Sequence, residues 1–347
     1  MNSIDPVNAW LEDSVSSTLR DIIRSDPAQF TLAGSSAQAD VIIFQNDEPR
    51  YVRQTPEYQQ YPEKCVVINE ADRPSYFLPA CYASNRRSWL SRRRARTIPY
   101  YISQRAIPNP FIDDISATRP RRYLYAFRGG STSWVRKRLF KLPHPPADAC
   151  IEEANHYQHW NYDESYAHRK TLLQRQYADL LAESSFFLCP RGVGVSSIRL
   201  FEVMQAGRVP VIIADDWVPV ADLPWEEFSL WIPEKQLPDF DRIIRSRAHE
   251  AERRGVKARQ VWEECCAPEV HARLLAQSVR FIQHNRSQGR EQFVRFVFPA
   301  LEVVSHGKDK AIRFLKYLIL RAFALTGRKF PYSLNRPIEE QLNNLKS

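Results

Sequence analysis

Residues 185–217, SFFLCPRGVGVSSIRLFEVMQAGRVPVIIADDW, limit what this chain can fold into more than any other stretch. Ser185–Cys189 is a short apolar and aromatic run stopped by Pro190, the pattern of a buried strand. Gly192 and Gly194 follow, and glycine takes backbone angles that other residues resist. Ser196 is placed to cap a helix reaching Ala206, Gly207 to end it, and Val209–Ala214 reads as an internal parallel strand. Such a unit sets a helix N-terminus at the carboxyl end of a strand. Unpaired N–H groups and the positive end of the helix dipole then face the crevice where open α/β sheets bind ligands, so the unit reads as a grip for phosphate.

The predicted helix is apolar on most sides, yet Arg199, Glu202 and Gln205 recur every three residues and share one polar stripe. Arg191 beside the glycines and Arg199 in the first turn offer two cations for a diphosphate, and Glu202 offers a carboxylate for ribose hydroxyls. Arginine in a first turn opposes the dipole at a cost of about 0.3–1 kcal/mol that an anionic ligand would remove. The plain alternative is a partly solvated helix with a local Arg–Glu pair. Two phosphate-binding classes compete. GVGVSS approximates the dinucleotide fingerprint GxGxxG, with Asp215 or Asp216 after the next strand, which would make the protein an NAD(P)-dependent oxidoreductase. Against it, Ser197 stands in the third glycine's place, and Pro190 and Arg191 intrude between strand and turn.

The other class rests on C-P-R-G, the S-x-R-L-F-E helix, the A-G turn and the P-V-I-I-A-D strand, in that order. Together they resemble the nucleotide-sugar-binding core of the exostosin family of glycosyltransferases, in a soluble, bacterial-type form. The resemblance extends more faintly over residues 121–285 and loosens in the first hundred. It implies an α/β protein of the GT-B class, two Rossmann-like lobes facing a central cleft, with the donor held mainly by the C-terminal lobe. It also implies an inverting enzyme needing no cofactor and no metal. The partners it implies are a nucleotide-sugar donor, uridine diphosphate-linked, and a glycan or lipid-linked glycan acceptor. On this resemblance Arg128, Arg191, Gly192, Gly194, Ser196, Ser197, Arg199 and Glu202 bind the donor, with Arg191 and Arg128 on the diphosphate and Glu202 on the ribose. Residues 1–118 form the acceptor-side lobe, 119–290 the nucleotide-sugar lobe, and 291–347 C-terminal helices that cross back to the first lobe.

Two lobes are compatible with 347 residues of which 44% are hydrophobic. Asp40–Gln45 and Lys64–Asn69 read as strands of the first lobe, residues 9–26 as an amphipathic helix, and Pro99–Pro120 as the crossing between lobes. Tyr123–Phe127 starts the second lobe and ends in Arg128-Gly129-Gly130, with Ser131 or Thr132 capping a helix in which Arg136 reads as an ordinary helix residue or a supporting contact. Ser165–Ala182 is helical in pattern, Ser229–Ile232 is a strand, and three helical segments follow over 234–247, 248–264 and 268–284.

Inverting transfer needs a base to deprotonate the acceptor hydroxyl. Asp47, Glu48, Glu70 and Asp72 lie near carboxyl ends of first-lobe strands; Glu70 and Asp72 emerge directly from CVVIN, and Asp72 is chosen over Glu70, with an acidic loop cap as the alternative for each. Asp239-Phe240-Asp241 is the one DxD triplet, but it opens a predicted helix, where aspartate suits the dipole. No HxxxH or HExxH spacing marks a zinc site.

The net charge of +9 gathers in clusters. Arg86, Arg87, Arg92, Arg93, Arg94 and Arg96, interleaved with Tyr82, Trp89, Tyr100 and Tyr101, are the densest, followed by Arg119, Arg121 and Arg122. They suit a solvated basic face or an anionic partner; without an accompanying nucleic-acid-binding signature, no nucleic acid is expected, and a noncatalytic basic scaffold is the remaining alternative. The N-terminal sequence has no apolar core of a signal peptide or anchor, and six cysteines without metal or disulfide spacing suit a reducing compartment. The expectation is a cytoplasmic protein, peripheral on the inner face of the plasma membrane if residues 310–330, a basic and apolar helix pattern, lie on an anionic leaflet. That pattern suits a helix packing across the lobes equally well.

Overall fold

The computed structural model describes residues 5–298, apart from 89–90, 92, 114, 116–119, 145–146, 155–160 and 162. Trp89, Arg92 and Arg119 of the basic clusters, and the segment 310–330, lie outside the described residues. The chain divides into two units, Met1–Arg286 and Ser287–Ser347. In the second, residues 288–298 are helical.

The first unit contains two parallel sheets. One is built from β1 (Val7–Leu11), β2 (Phe30–Leu32), β3 (Val41–Phe44), β4 (Cys65–Asn69), β5 (Ala80–Tyr82) and β6 (Ala95–Thr97), in the order β2-β1-β3-β4-β5-β6. Its helices are α1 (Ser17–Arg24), α2 (Pro49–Gln54), α3 (Pro56–Gln60) and α4 (Tyr101–Ala106). The other comprises β7 (Tyr123–Gly129), β8 (Ala149–Glu153), β9 (Ser184–Pro190), β10 (Val209–Ile213) and β11 (Leu230–Trp231), in the order β11-β10-β9-β7-β8. Around it lie α5 (Trp134–Leu139), α6 (Glu164–Ala182), α7 (Arg199–Gln205), α8 (Trp225–Phe228), α9 (Phe240–Ser246) and α10 (Ala251–Cys265), followed by α11 (His271–His284). This is the two-lobed α/β arrangement expected for GT-B. Both strand orders reverse once, between β1 and β3 and between β7 and β9, and ligands gather at the carboxyl ends of strands at such points.

The strands follow from burial. VIIF of β3 and CVVI of β4 are buried throughout, as strands covered on both faces must be. The helix expected over residues 9–26 is instead a strand and a helix. Val7–Leu11 alternates buried and half-buried positions with a period of two, and α1 starts only where Ser16 accepts a hydrogen bond from the Leu19 N–H at 3.4 Å. Trp10 and Leu11, which fitted a helical stripe, belong to the strand. Strands β2, β5 and β6, three residues each, escaped notice because so short a run carries little period.

The signature helix also starts later than expected. The Ser197 carbonyl accepts from the Leu200 N–H at 3.1 Å and the Ile198 carbonyl from the Glu202 N–H at 3.2 Å, so α7 begins at Arg199, and the Ser196 hydroxyl caps nothing. Gly207 ends it as expected, at φ 63°, which β-carbon-bearing residues resist. The buried Arg208 guanidinium donates to the carbonyls of Ala206 and Ala182, placing a cation at the C-terminal ends of α7 and α6 together.

α11 returns to the first lobe. Leu275, Ala276, Val279 and Ile282 pack into the core formed by β1, β3, β4, α1 and α4. The return therefore falls inside the range 119–290 expected for the nucleotide-sugar lobe.

A seam of main-chain contacts joins the lobes. Arg87 N donates to Asp216 O at 2.8 Å, Val218 N to Asn85 O at 3.0 Å, and the Thr97 hydroxyl to Val218 O at 2.8 Å. Trp217, 1% exposed, donates its indole N–H to Ala83 O at 3.2 Å and stacks on Trp231 with ring centroids 5.8 Å apart. The densest arginine cluster serves this region. Arg94 is buried and donates to the carbonyls of Tyr76 and Phe77; Arg96 pairs with Asp222 at 2.6 Å and lies over the Phe281 ring. Tyr82, Tyr100 and Tyr101 are core residues, so the aromatic interleaving is packing. Trp217→Ala should lower the unfolding free energy by about 3–5 kcal/mol through a cavity at the seam, read as a fall in the urea midpoint by circular dichroism. A shift under about 1 kcal/mol would show that the seam does not depend on this side chain.

Candidate functional site

The carboxyl ends of the two sheets enclose a cavity of about 500 Å³. Gln45, Asn69, Glu70, Asp72 and Tyr100 line it from the first lobe; Thr132, Arg136, Gly192, Ser196, Ser197 and Arg199 line it from the second.

Its floor in the second lobe is cationic. Ser133 caps α5 by accepting from the Arg136 N–H at 3.3 Å, which turns the Arg136 side chain under the glycine loop. Arg136 is 5% exposed and donates from Nε and Nη2 to Pro190 O at 3.2 and 3.1 Å, and from Nη1 to Gly130 O at 3.3 Å. Arg199 donates from Nε to Arg128 O at 2.9 Å. The two guanidinium carbons stand 5.6 and 5.7 Å from the Phe127 ring centroid. Among the described residues no carboxylate forms an ion pair with either. Burial, and next the neighbouring Arg199 charge, push the Arg136 pKa down to about 9. Two adjoining cations, neither held in an ion pair, leave an electrostatic cost that a bound anion would relieve.

The glycines of the loop provide closeness. Neither Gly192 nor Gly194 has the positive φ that their turn suggested. A Cβ on Gly192 would stand 3.3 Å from Arg136 Nη2; one on Gly194 would stand 2.5 Å from both Asp72 Oδ1 and Ser84 Oγ. Gly194 is therefore where the second lobe meets the loop carrying Asp72.

Glu70 and Asp72 share a loop but do different things. The Glu70 carboxylate accepts from Ile102 N at 2.6 Å, Ser103 N at 2.9 Å and Ser103 Oγ at 2.5 Å, holding the first turn of α4. Its burial drives the pKa up to about 7, partly offset by these donors. Asp72 is exposed to the cavity and makes none of the hydrogen bonds found among the described side chains. Asn69 sets the loop's course, donating to Gln45 O and accepting from Ala71 N, both at 2.5 Å. Asp47 is occupied by Ser75 N and the Tyr82 hydroxyl, and Glu48 precedes α2.

Two expected phosphate ligands point elsewhere. Arg191 N still donates to Ile213 O at 3.1 Å, so the residue continues the ladder with β10, and its side chain pairs with Glu234 at 2.7 Å outside the cavity lining. Arg128 bonds Gln176 at 2.7 Å and Glu152 at 3.4 Å; its carbonyl, not its guanidinium, serves the site by holding Arg199. With Tyr177 and Glu202, Arg128 lines a smaller cavity of about 70 Å³ on the other side of Arg199. Burial raises the Glu202 pKa, with Arg199 opposing. Ser196 is 6% exposed and its hydroxyl has no hydrogen-bond partner. Of the DxD triplet, Asp241 accepts from the Tyr125 hydroxyl at 2.9 Å and pairs with Arg245, a structural role.

A family model described as the Exostosin GT47 domain matches residues 80–247, from β5 through α9 and the turn after it. Over residues 80–247 the chain is similar to the exostosin family of glycosyltransferases. Exostosin-1 of Drosophila melanogaster is 30% identical over 139 residues, covering 36% of this chain and 18% of that protein. A probable beta-1,4-xylosyltransferase of Arabidopsis thaliana is 44% identical over 72 residues, 20% of this chain and 18% of that protein. The chain thus spans under a fifth of the length of these curated relatives. Among solved structures, a glycosyltransferase from Rickettsia africae has a TM-score of 0.39 at 10% identity, covering 80% of this chain and 90% of that one. HepE of Anabaena, in complex with UDP, has a TM-score of 0.36 at 10% identity, covering 79% and 99%. The exostosin-like match begins at β5, so β1–β4 and the loop bearing Asp72 fall outside it. The dinucleotide reading of GVGVSS gives way to this match.

Glu70 gives the first lobe a pH signature in stability. An unfolded glutamate releases its proton near 4.5, whereas folded Glu70 holds it to about 7. The folded state binds this proton more tightly, so the contribution is whole below pH 4.5 and is lost as pH rises through 7. Glu70→Gln should therefore gain stability relative to wild type between about pH 5 and about pH 8, by up to about 3 kcal/mol. Urea unfolding at both pH values checks this; parallel pH dependence of the two proteins would contradict it.

Proposed function

We propose that the chain is an inverting glycosyltransferase that moves a sugar from a nucleoside diphosphate sugar, uridine-linked, to a glycan or lipid-linked glycan acceptor without a metal ion. The observation that carries this reading is the Arg136–Arg199 pair, Arg136 buried and Arg199 half-buried, neither in an ion pair with a carboxylate among the described residues, lining one cavity with Asp72. The uridine base and the acceptor class rest on the family resemblance.

In this reading the donor diphosphate lies against Arg136 and Arg199, and the Ser196 hydroxyl donates to it. Glu202 accepts from the ribose, on the far side of Arg199. Asp72 takes the proton of the acceptor hydroxyl as its oxygen attacks the anomeric carbon. The bond from that carbon to the diphosphate oxygen breaks, and the leaving diphosphate takes up negative charge beside two fixed cations. Preorganised charge of this kind stabilises the transition state without reorganisation at the moment of reaction. The guanidiniums supply the positive charge that a metal supplies elsewhere. The proposed place of work is the cytoplasm, the compartment that the spacing of the six cysteines suits. Among the described residues no helix is long and apolar enough to cross a membrane.

Calorimetry against a panel of nucleoside mono- and diphosphates tests the donor site. Arg136→Ala should weaken UDP binding by about 100-fold, the worth of a buried charge-assisted contact, while Arg191→Ala should leave it within about threefold. The opposite ranking would return the diphosphate to Arg191. Asp72→Asn should lower turnover by about 100-fold or more with UDP affinity unchanged, and EDTA should not inhibit. Dependence on manganese would sink the metal-free route.

A further inference from the structure

We infer that Trp134 is a stacking platform for an uncharged sugar ring of the acceptor glycan, at the lip of the cleft. The inference rests on reading the cleft as a sugar-transfer site. Trp134 is 48% exposed, whereas Trp217, Trp225 and Trp262 are buried. It opens α5, whose first turn stands at the carboxyl end of β7, the edge of the sheet that faces the cleft. Thr132, two residues earlier, lines the cavity, and so does Val193, itself 45% exposed. Val193 in the lining and Trp134, two residues beyond the lining residue Thr132, each leave exposed apolar surface on the second-lobe side.

The indole is held in place. The Arg191 guanidinium carbon lies 5.8 Å from its ring centroid, within cation–π range, and Arg191 is fixed by Glu234 at 2.7 Å. Glu234 N in turn donates to Asp215 Oδ1 at 3.0 Å. On the other side Ser133, adjacent in sequence, caps α5 and donates to Arg191 O at 2.8 Å. This explains an arginine that the diphosphate does not need: it supports the indole, and its charge is cancelled by Glu234. A support without net charge does not select an anionic ligand.

The chemistry fits one class of occupant. A pyranose ring presents a face of C–H bonds, and an indole face carries the negative side of its quadrupole. A rigid tryptophan offers that area with little side-chain entropy to lose. The hydroxyl that reacts must reach Asp72, so the sugar on Trp134 is one further along the acceptor chain, and the platform favours longer acceptors.

The test uses the full chain saturated with UDP and titrated with cellopentaose, xylopentaose and N-acetylchitopentaose, all uncharged, followed by saturation-transfer NMR. Wild type should bind at least one of them below about 10 mM. Trp134→Ala should weaken that binding by about tenfold, and Trp134→Phe should keep most of it. Both variants should keep the wild-type UDP affinity and melting temperature. Equal oligosaccharide binding by Trp134→Ala and wild type overturns the platform, as does failure of all three sugars to bind wild type that is loaded with UDP. Failure of wild type to bind UDP strikes instead at the sugar-nucleotide reading.

Discussion

A cleft made from two sheets keeps its geometry only if the sheets are held at a set distance, and here main-chain hydrogen bonds do the holding. The pairs Arg87 N to Asp216 O and Val218 N to Asn85 O run between the segment after β5 and the segment after β10. Main-chain bonds leave little freedom of length or direction, and Trp217 seals them from water. Beside this seam, α11 carries the chain back from the second lobe onto the first lobe's core, with Phe281 under Arg96. Held at both places, the lobes bring Gly194 against Asp72 so closely that no side chain fits between them. Every distance across the cavity depends on that approach.

The signature segment was legible in sequence because its signals are local. A proline that stops a strand, a glycine at φ 63° and an unbroken apolar strand each act over a few residues, and β9, α7 and β10 lie close to where those signals put them. What stayed hidden depends on partners distant in the chain. Arg191 and Arg136 show this most clearly. Arg191 sits beside the glycines in sequence, but the β10 ladder runs one residue past Pro190 and carries its side chain toward Glu234. Arg136 lies 55 positions earlier, yet the Ser133 cap turns it beneath Pro190 and Gly192. The cap preceding arginine by three residues was the available sign; nothing local said which strand end it would underlie. Glu70 and Asp72 likewise looked equivalent as loop carboxylates. Only α4, arriving more than 30 residues later, occupies one and leaves the other.

The division of charge across the cleft follows from these placements and bears on chemistry. Cations come from the second lobe as Arg136 and Arg199; carboxylates come from the first as Glu70 and Asp72. An anion against the second lobe would shield the arginines from each other. Placing the carboxylates and the guanidiniums on separate lobes also separates their tuning. Asn69, tied to Gln45 and Ala71, fixes the Asp72 loop from within the first sheet, while the carbonyls of Pro190 and Arg128 orient the guanidiniums from within the second. Neither set bonds to the other, so a change that repositions the Asp72 loop can leave the guanidiniums in place. The two halves of the site are coupled through the seam and through Gly194, where the lobes touch.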